Sequence, residues 1–219
     1  MIDIKIFTFN PYQENTFVIS DPDGACAIID PGCFSHSEQQ ALKLYIEEKD
    51  LKVVKLLNTH GHIDHMLGNK FVVDTWGVPF ATHEKVIPEL EATQSYGALF
   101  GLQPDPSPHP DELLEDGDTL EIGQLKLEVI FTPGHSAGHI SFYHAPSQSL
   151  FSGDVLFQRS IGRTDLPGGD YPTLMSTITQ KLAPLPNDVR VYCGHGPMTT
   201  LGEERQQNPF ILDWLQSTS

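Results

Sequence analysis

Positive charge is scarce in this chain. Its 13 Lys and Arg stand against 29 Asp and Glu over 219 residues, a formal net charge of −16 at pH 7. Nucleic-acid binding needs a basic face to meet phosphates, so that class of partner is excluded. An anionic membrane surface is disfavoured on the same ground. Long apolar runs are missing as well. Met1-Ile2-Asp3-Ile4-Lys5-Ile6-Phe7 alternates like a strand, so no signal peptide is expected, and no later stretch is long enough to span a bilayer. Cysteine is limited to Cys26, Cys33 and Cys193, an odd count without a Cys-x-x-Cys pair. Reduced thiols in a cytoplasmic protein are the simplest account.

What is present describes a globular, loop-rich chain: 39% hydrophobic residues, with Gly 18 and Pro 17. The length fits a single domain over residues 1–219 with a buried core. Strands are expected at 16–20 and 25–29, joined by the turn Asp21-Pro22-Asp23-Gly24, and at 52–57, 79–82, 125–131, 140–144, 149–152 and 189–193. Ser35-x-x-Glu38 reads as a capping box opening a helix with Leu42, Tyr45 and Ile46 on its apolar side. Leu67, Phe71, Val72 and Trp76 give a second amphipathic helix, stopped by Gly77. Residues 84–99 read as a helix with an irregular middle, 173–182 as a helix opened by Pro172, and 209–215 as a short terminal helix. The alternate prolines of 103–110 exclude regular structure there.

The segment Thr59-His60-Gly61-His62-Ile63-Asp64-His65 places four metal-capable side chains within six residues. In extended backbone His60 and His62 share a side. Asp64 and His65 are adjacent and would crowd that pair at one tetrahedral centre. An extended loop turning into a helix at Asp64 aims one pair at one ion and the other at a neighbour. Imidazole and carboxylate suit divalent zinc, with iron or manganese also accepted. His60, His135, Asp154 and His195 each follow the end of an expected strand, beside small or turn residues, where layered α/β proteins collect their active sites.

These residues, with Ile29-Asp30-Pro31-Gly32, resemble the metallo-β-lactamase superfamily from Asn15 to about His195. The resemblance implies an αββα four-layer sandwich, two mixed sheets face to face with helices outside and two metal ions at one edge. It implies that His60, His62 and His135 hold one ion, that Asp64, His65 and His195 hold the other, and that Asp154 bridges. His36, His83, His109, His139 and His144 are left as non-ligands: His139 structural or beside the ligands, the other four at the surface or as caps. Thr132-Pro133-Gly134-His135-Ser136-Ala137-Gly138-His139, Ser152-Gly153-Asp154-Val155-Leu156-Phe157 and the run from Ile161 to Gly169 are similar to the short bacterial branch of glyoxalase II-like hydrolases. Classical members carry a helical C-terminal substrate domain; no such separate domain is expected in the short tail here.

Paired divalent ions bring the pKa of a shared water near neutrality, and Asp64 is placed to ligate and to orient the attacking oxygen as the catalytic carboxylate. The expected reaction is hydrolysis of a small-molecule thioester of the S-lactoylglutathione type, by a monomer or homodimer. Arg159 and Arg163 follow Asp154, and Arg163 can pair with a substrate carboxylate or with Asp165 or Asp170. Asp30 can orient a ligand imidazole or close an Asp-Pro-Gly turn. Cys193 reads as a buried thiol. The alternatives are a persulfide dioxygenase holding a single iron, a lactonase or other hydrolase on the same scaffold, and a non-catalytic metal-binding module. The last would be marked by a missing ligand, and none is missing.

Overall fold

The computed structural model describes residues 2–99 and 102–217. In chain order, its first half runs β1 (Asp3–Phe9), β2 (Glu14–Ser20), β3 (Ala25–Ile29), α1 (His36–Glu48), β4 (Lys52–Leu57), α2 (Ile63–Met66), α3 (Asn69–Trp76), β5 (Phe80–Thr82), α4 (Ile87–Glu91), α5 (Thr93–Leu99) and β6 (Glu112–Leu113). The second half runs β7 (Thr119–Ile122), β8 (Leu125–Phe131), β9 (Ile140–His144), β10 (Ser149–Gly153), β11 (Leu156–Phe157), β12 (Ser160–Ile161), α6 (Tyr171–Ser176), β13 (Arg190–Cys193), β14 (Thr199–Thr200), α7 (Leu201–Gln207) and α8 (Pro209–Ser217).

Two six-stranded sheets result, ordered β1-β2-β3-β4-β5-β6 and β14-β13-β10-β9-β8-β7, with β11-β12 as a separate hairpin. Both are mixed. β3, β4, β5 and β6 pair in parallel and β10 pairs parallel to β13, while the other pairings are antiparallel. Side-chain alternation sorts the apolar residues into three layers. Phe17, Ile19, Ile29 and Leu57 meet Ile122, Leu127, Phe142 and Phe151 between the sheets. Val18, Ile28 and Leu56 pack outward against Leu42 and Ile46 of α1 and Val72 of α3. Leu150, Val191 and Cys193 pack outward against Leu174 and Met175 of α6 and Leu201 of α7. This is the αββα sandwich. Each fully buried large side chain contributes roughly 1.5–3 kcal/mol, which fixes the sheet faces.

Helix ends follow local chemistry. Ser35 caps α1, and Glu38 reaches back to the cap backbone, completing the capping box. Gly77, at φ 62, ends α3 in the left-handed conformation. The expected helix over 84–99 is a 3₁₀ turn followed by α4 and α5. The expected 173–182 helix starts two residues earlier, capped by Asp170, and widens from Thr177 into a π turn through Leu182. The tail carries two helices, because Asn208 interrupts with extended backbone between α7 and α8.

Strand direction sets the site. Parallel neighbours end at the same edge, so β3 and β4 deliver Asp30 and His60 together, and β10 and β13 deliver Asp154 and His195 together. β8, two antiparallel steps from β10, also ends there and carries the chain to His135. The two sheets are tied across this edge by backbone bonds from Ile140 to Thr59 (2.8 Å) and from Asn15 to Gly194 (2.7 Å). Asn15 Nδ2 also donates to the carbonyls of Cys193 (3.0 Å) and Gly196 (2.8 Å), clamping the loop of His195.

Candidate metal centre

After β4 the chain stays extended through His62, which stands at φ −68 and ψ 145 as the residue before α2. The helix begins at Ile63, so Asp64 and His65 leave the chain on its first turn, while His60 and His62 project from the extended segment. The ring centroids of His60 and His62 are 4.7 Å apart, those of His60 and His135 4.9 Å, and those of His62 and His135 4.4 Å. One donor atom from each of these three lies within 4.8 Å of the others, and the same holds for Asp64, His65 and His195.

Asp154 stands between the two sets. Its Oδ1 is 3.4 Å from His65 Nε2, and its Oδ2 is 3.5 Å from His135 Nε2 and 3.6 Å from His195 Nε2. Glycine makes this closeness possible: a Cβ on Gly194 would lie 2.2 Å from Asp154 Oδ1 and 2.7 Å from His65 Cε1.

The imidazoles are oriented from behind. His135 Nδ1 donates to the Arg163 carbonyl at 2.8 Å, and His195 Nδ1 to the Tyr12 carbonyl at 3.1 Å. His65 Nδ1 meets Asp30 Oδ2 at 3.2 Å. Thr59 Oγ1 donates to that same oxygen at 2.6 Å and lies 2.9 Å from His60 Nδ1, so it receives the His60 proton. Each arrangement occupies Nδ1 and leaves Nε2 facing the cluster, a metal donor once any second ring proton has left. The Nε2 atoms of His60, His65 and His135 and Oδ1 of Asp154 are buried with no hydrogen-bond partner. Orphaned polar atoms of this kind are costly in a protein interior. Divalent cations would satisfy them, so the donors fit two metal ions. Tyr12, Thr59 and the Arg163 carbonyl were not singled out by sequence; a backbone acceptor has no sequence signal, and a lone Thr or Tyr is too common to stand out.

Electrostatics divides the sets. Burial, aided by the His65 and His62 rings, pushes His60 well below the usual imidazole pKa. Burial and His135 take His62 down to about 3. Burial lowers His135 as well, against the pull of Asp154. For His65 burial also opposes charge, but Asp154 and Asp64 outweigh it and hold the pKa well above the usual value. His195 is raised in the same way by its bond to Asp64. Burial disfavours the charged carboxylates, yet His65 reverses this and holds Asp64 and Asp154 below the ordinary range.

Other expected residues fall in place around these. His139 is fully buried, its Nδ1 2.9 Å from Thr132 Oγ1 and its Nε2 accepting from the Asp154 amide at 3.1 Å. It orients Asp154 and is stacked on His60 at 4.9 Å. His83 caps the 3₁₀ turn as expected but is buried against Phe131, and His144 is buried with its Nδ1 2.6 Å from Ser147 Oγ. Arg159, which shares a loop with Arg163, turns away from the cleft: its guanidinium pairs with Glu204, a fully buried carboxylate of α7. The guanidinium of Arg163 pairs with Asp165 through two 2.8 Å bonds at the rim of the cleft. The thiols of Cys26 and Cys193 are buried and pushed up to about 12, with desolvation the main cause.

A cleft of about 460 Å³ opens over both sets. Its walls are largely apolar, including Met66, Tyr96, Phe157, Ile161 and Leu166. Arg163 is the one Lys or Arg among its described lining residues.

Residues 9–195 match the family model of the metallo-beta-lactamase superfamily. The chain is 39% identical over 216 residues to hydroxyacylglutathione hydrolase GloC of Haemophilus influenzae, covering 96% of this chain and 98% of that protein. It is 41% identical to the probable metallo-hydrolase YqgX of Bacillus subtilis, covering 92% and 93%. Among solved structures, the B3 metallo-beta-lactamase BLEG-1 superposes with a TM-score of 0.88 at 38% identity, covering 96% of this chain and 99% of that one. TTHA1623, crystallised in a di-iron-bound form, gives 0.84 at 36% identity, covering 94% and 99%.

Proposed function

The chain belongs to the metallo-beta-lactamase superfamily, and from that membership we propose that it is a dinuclear metal-dependent hydrolase of thioesters of the S-lactoylglutathione type. One observation carries the two-ion reading: the Asp154 carboxylate reaches both donor sets, with Oδ1 toward His65 and Oδ2 toward His135. His60, His62 and His135 would hold one ion, Asp64, His65 and His195 the other, and Asp154 would join them. Zinc suits these donors, and iron and manganese accept them too.

Bound divalent ions supply Lewis acidity, ionising water near neutral pH and polarising a carbonyl. The protein does the rest. Asp64, kept as a carboxylate, accepts a hydrogen bond from an attacking oxygen and holds it in line. The apolar walls of the cleft seat the acyl and thiol halves and exclude water from them. A thiolate leaves without a strong general acid, so this step needs none from the protein.

The substrate is a small molecule, with no nucleic acid or membrane partner, and the protein acts in the cytoplasm as a monomer or homodimer. Among the described residues no helix is long and apolar enough to cross a membrane, and the acidic charge disfavours polyanions. Arg163 would take up a substrate carboxylate at the rim by exchanging Asp165 for it.

The test is metal quantification on the native protein paired with a thioester screen, with and without chelator. Two equivalents of metal and chelator-sensitive release of thiol are expected. A single iron with oxygen uptake would instead identify a persulfide dioxygenase. The likeness to a B3 metallo-beta-lactamase supports a second reading, β-lactam hydrolysis, and a β-lactam belongs in the same screen.

A further inference from the structure

Glu89 has no place in the metal reading, yet it stands where two of the ligand loops meet. It belongs to α4, whose neighbours Val86 and Leu90 are sunk in the apolar layer beneath α3 with Met66, so its position is fixed by the core. From there its Oε2 accepts from the Gly61 amide at 2.8 Å and from Ser136 Oγ at 3.3 Å. Gly61 lies between His60 and His62; Ser136 follows His135 and is fully buried. One carboxylate oxygen therefore joins both loops. The backbones are pressed close on the same side. A Cβ on Gly61 would lie 2.5 Å from Glu89 Cβ, and a Cβ on Gly138 2.7 Å from the Val86 amide. The two loops leave β4 and β8 on different sheets, and the Ile140–Thr59 backbone bond joins them at their base but not at the imidazoles beyond it. A shared acceptor on a third, core-anchored element adds a second tie close to the ligands.

We propose that Glu89 is a positioning residue that sets the spacing of the His60–His62–His135 donor set by tying the Gly61 loop to the Ser136 loop. This rests on the two-ion reading above. Among the described residues the hydrogen bonds of Glu89 run to Gly61 and Ser136, beside the His60–His62–His135 set and not to Asp64, His65 or His195, so its effect is directed at one of the two ions.

The test uses the full chain and Zn²⁺ alone, titrated against a chromophoric chelator, for the wild type, Glu89→Ala, Glu89→Gln, Ser136→Ala and His195→Ala. His195→Ala marks the signal of the other set. Wild type should bind two ions. Glu89→Ala should weaken one of them by about 10–100-fold, the range seen when partners of metal ligands are removed, and leave the ion sensitive to His195→Ala unchanged. Glu89→Gln keeps an oxygen for the Gly61 amide and should stay within a few-fold of wild type. Ser136→Ala, which removes a single hydroxyl and leaves Glu89 in place, should weaken the same ion to a lesser degree. Unchanged binding in Glu89→Ala, equal weakening of both ions, or Glu89→Gln as damaging as Glu89→Ala would overturn the proposal. A wild-type protein that binds no pair of ions would overturn the two-ion reading itself, and this inference with it.

Discussion

Asp30 and His65 are held in contact, Oδ2 to Nδ1 at 3.2 Å, and the same carboxylate oxygen takes the Thr59 hydroxyl that orients His60. One buried acid thus aligns an imidazole in each donor set. Its backbone stands at φ 48, a conformation open to Asp and Asn.

Replacing Asp30 by Asn keeps that backbone but presents an amide N–H₂ where an acceptor is required. Metal affinity should fall by about 10–100-fold, at both ions rather than one. Competition titration of the purified variant checks this; weakening confined to one ion would show that the Thr59 relay does not matter.

Proton release should differ between the sets. His60, His62 and His135 have pKa values pushed below the ordinary imidazole value, so at neutral pH they stand mainly uncharged and a metal ion there displaces few protons from them. His65 and His195 have raised values, so below those values each carries an extra proton in the metal-free protein and must lose it to bind. Affinity at the Asp64–His65–His195 set should therefore rise with pH, by about a factor of ten per unit for each proton released, until pH passes the raised values. Affinity at the three-histidine set should stay nearly flat over that window. Titrations at several pH values, with calorimetry in buffers of different ionisation enthalpy, count the protons.

Arg163→Met removes a guanidinium that stands at the cleft rim paired with Asp165. The fold should be unaffected, because the Arg163 carbonyl still receives His135. For a thioester carrying a carboxylate, KM should rise about tenfold, the loss of one charge-assisted contact, with kcat unchanged. A neutral thioester should show no change, and that pairing of substrates is the control.

The Arg159–Glu204 pair should be asymmetric. Glu204 is fully buried and Arg159 is about one-third exposed on its side chain. Arg159→Met leaves a buried carboxylate short of its cation, although Thr199 Oγ1, Asn208 Nδ2 and the Arg159 amide still donate to it. A cost of about 2–4 kcal/mol follows, below the full penalty of an unpaired buried charge. Glu204→Gln leaves a cation that water can reach and should cost less. Urea unfolding of both variants measures the order.

The linear sequence determined the strand ends and the residues beyond them. The limits of β3, β4, β8 and β9 could be read directly, because alternating or continuous apolar runs stop at polar and turn residues. Those same stops expose His60, His135, Asp154 and His195, and a dense cluster such as His60 to His65 stands out from any background. Only the folded chain decided which donors share a set and what stands behind them. Arg159 and Arg163 look alike in sequence, and α7 separates them by offering one a buried carboxylate. Glu14 is a further case: burial raises its pKa well above normal beside His65, yet nothing in its neighbours foretells that depth. Tyr12, Glu89 and the Arg163 carbonyl act across 183, 28 and 28 residues of chain. Contacts between such distant segments arise from sheet order and direction, which local propensity does not encode.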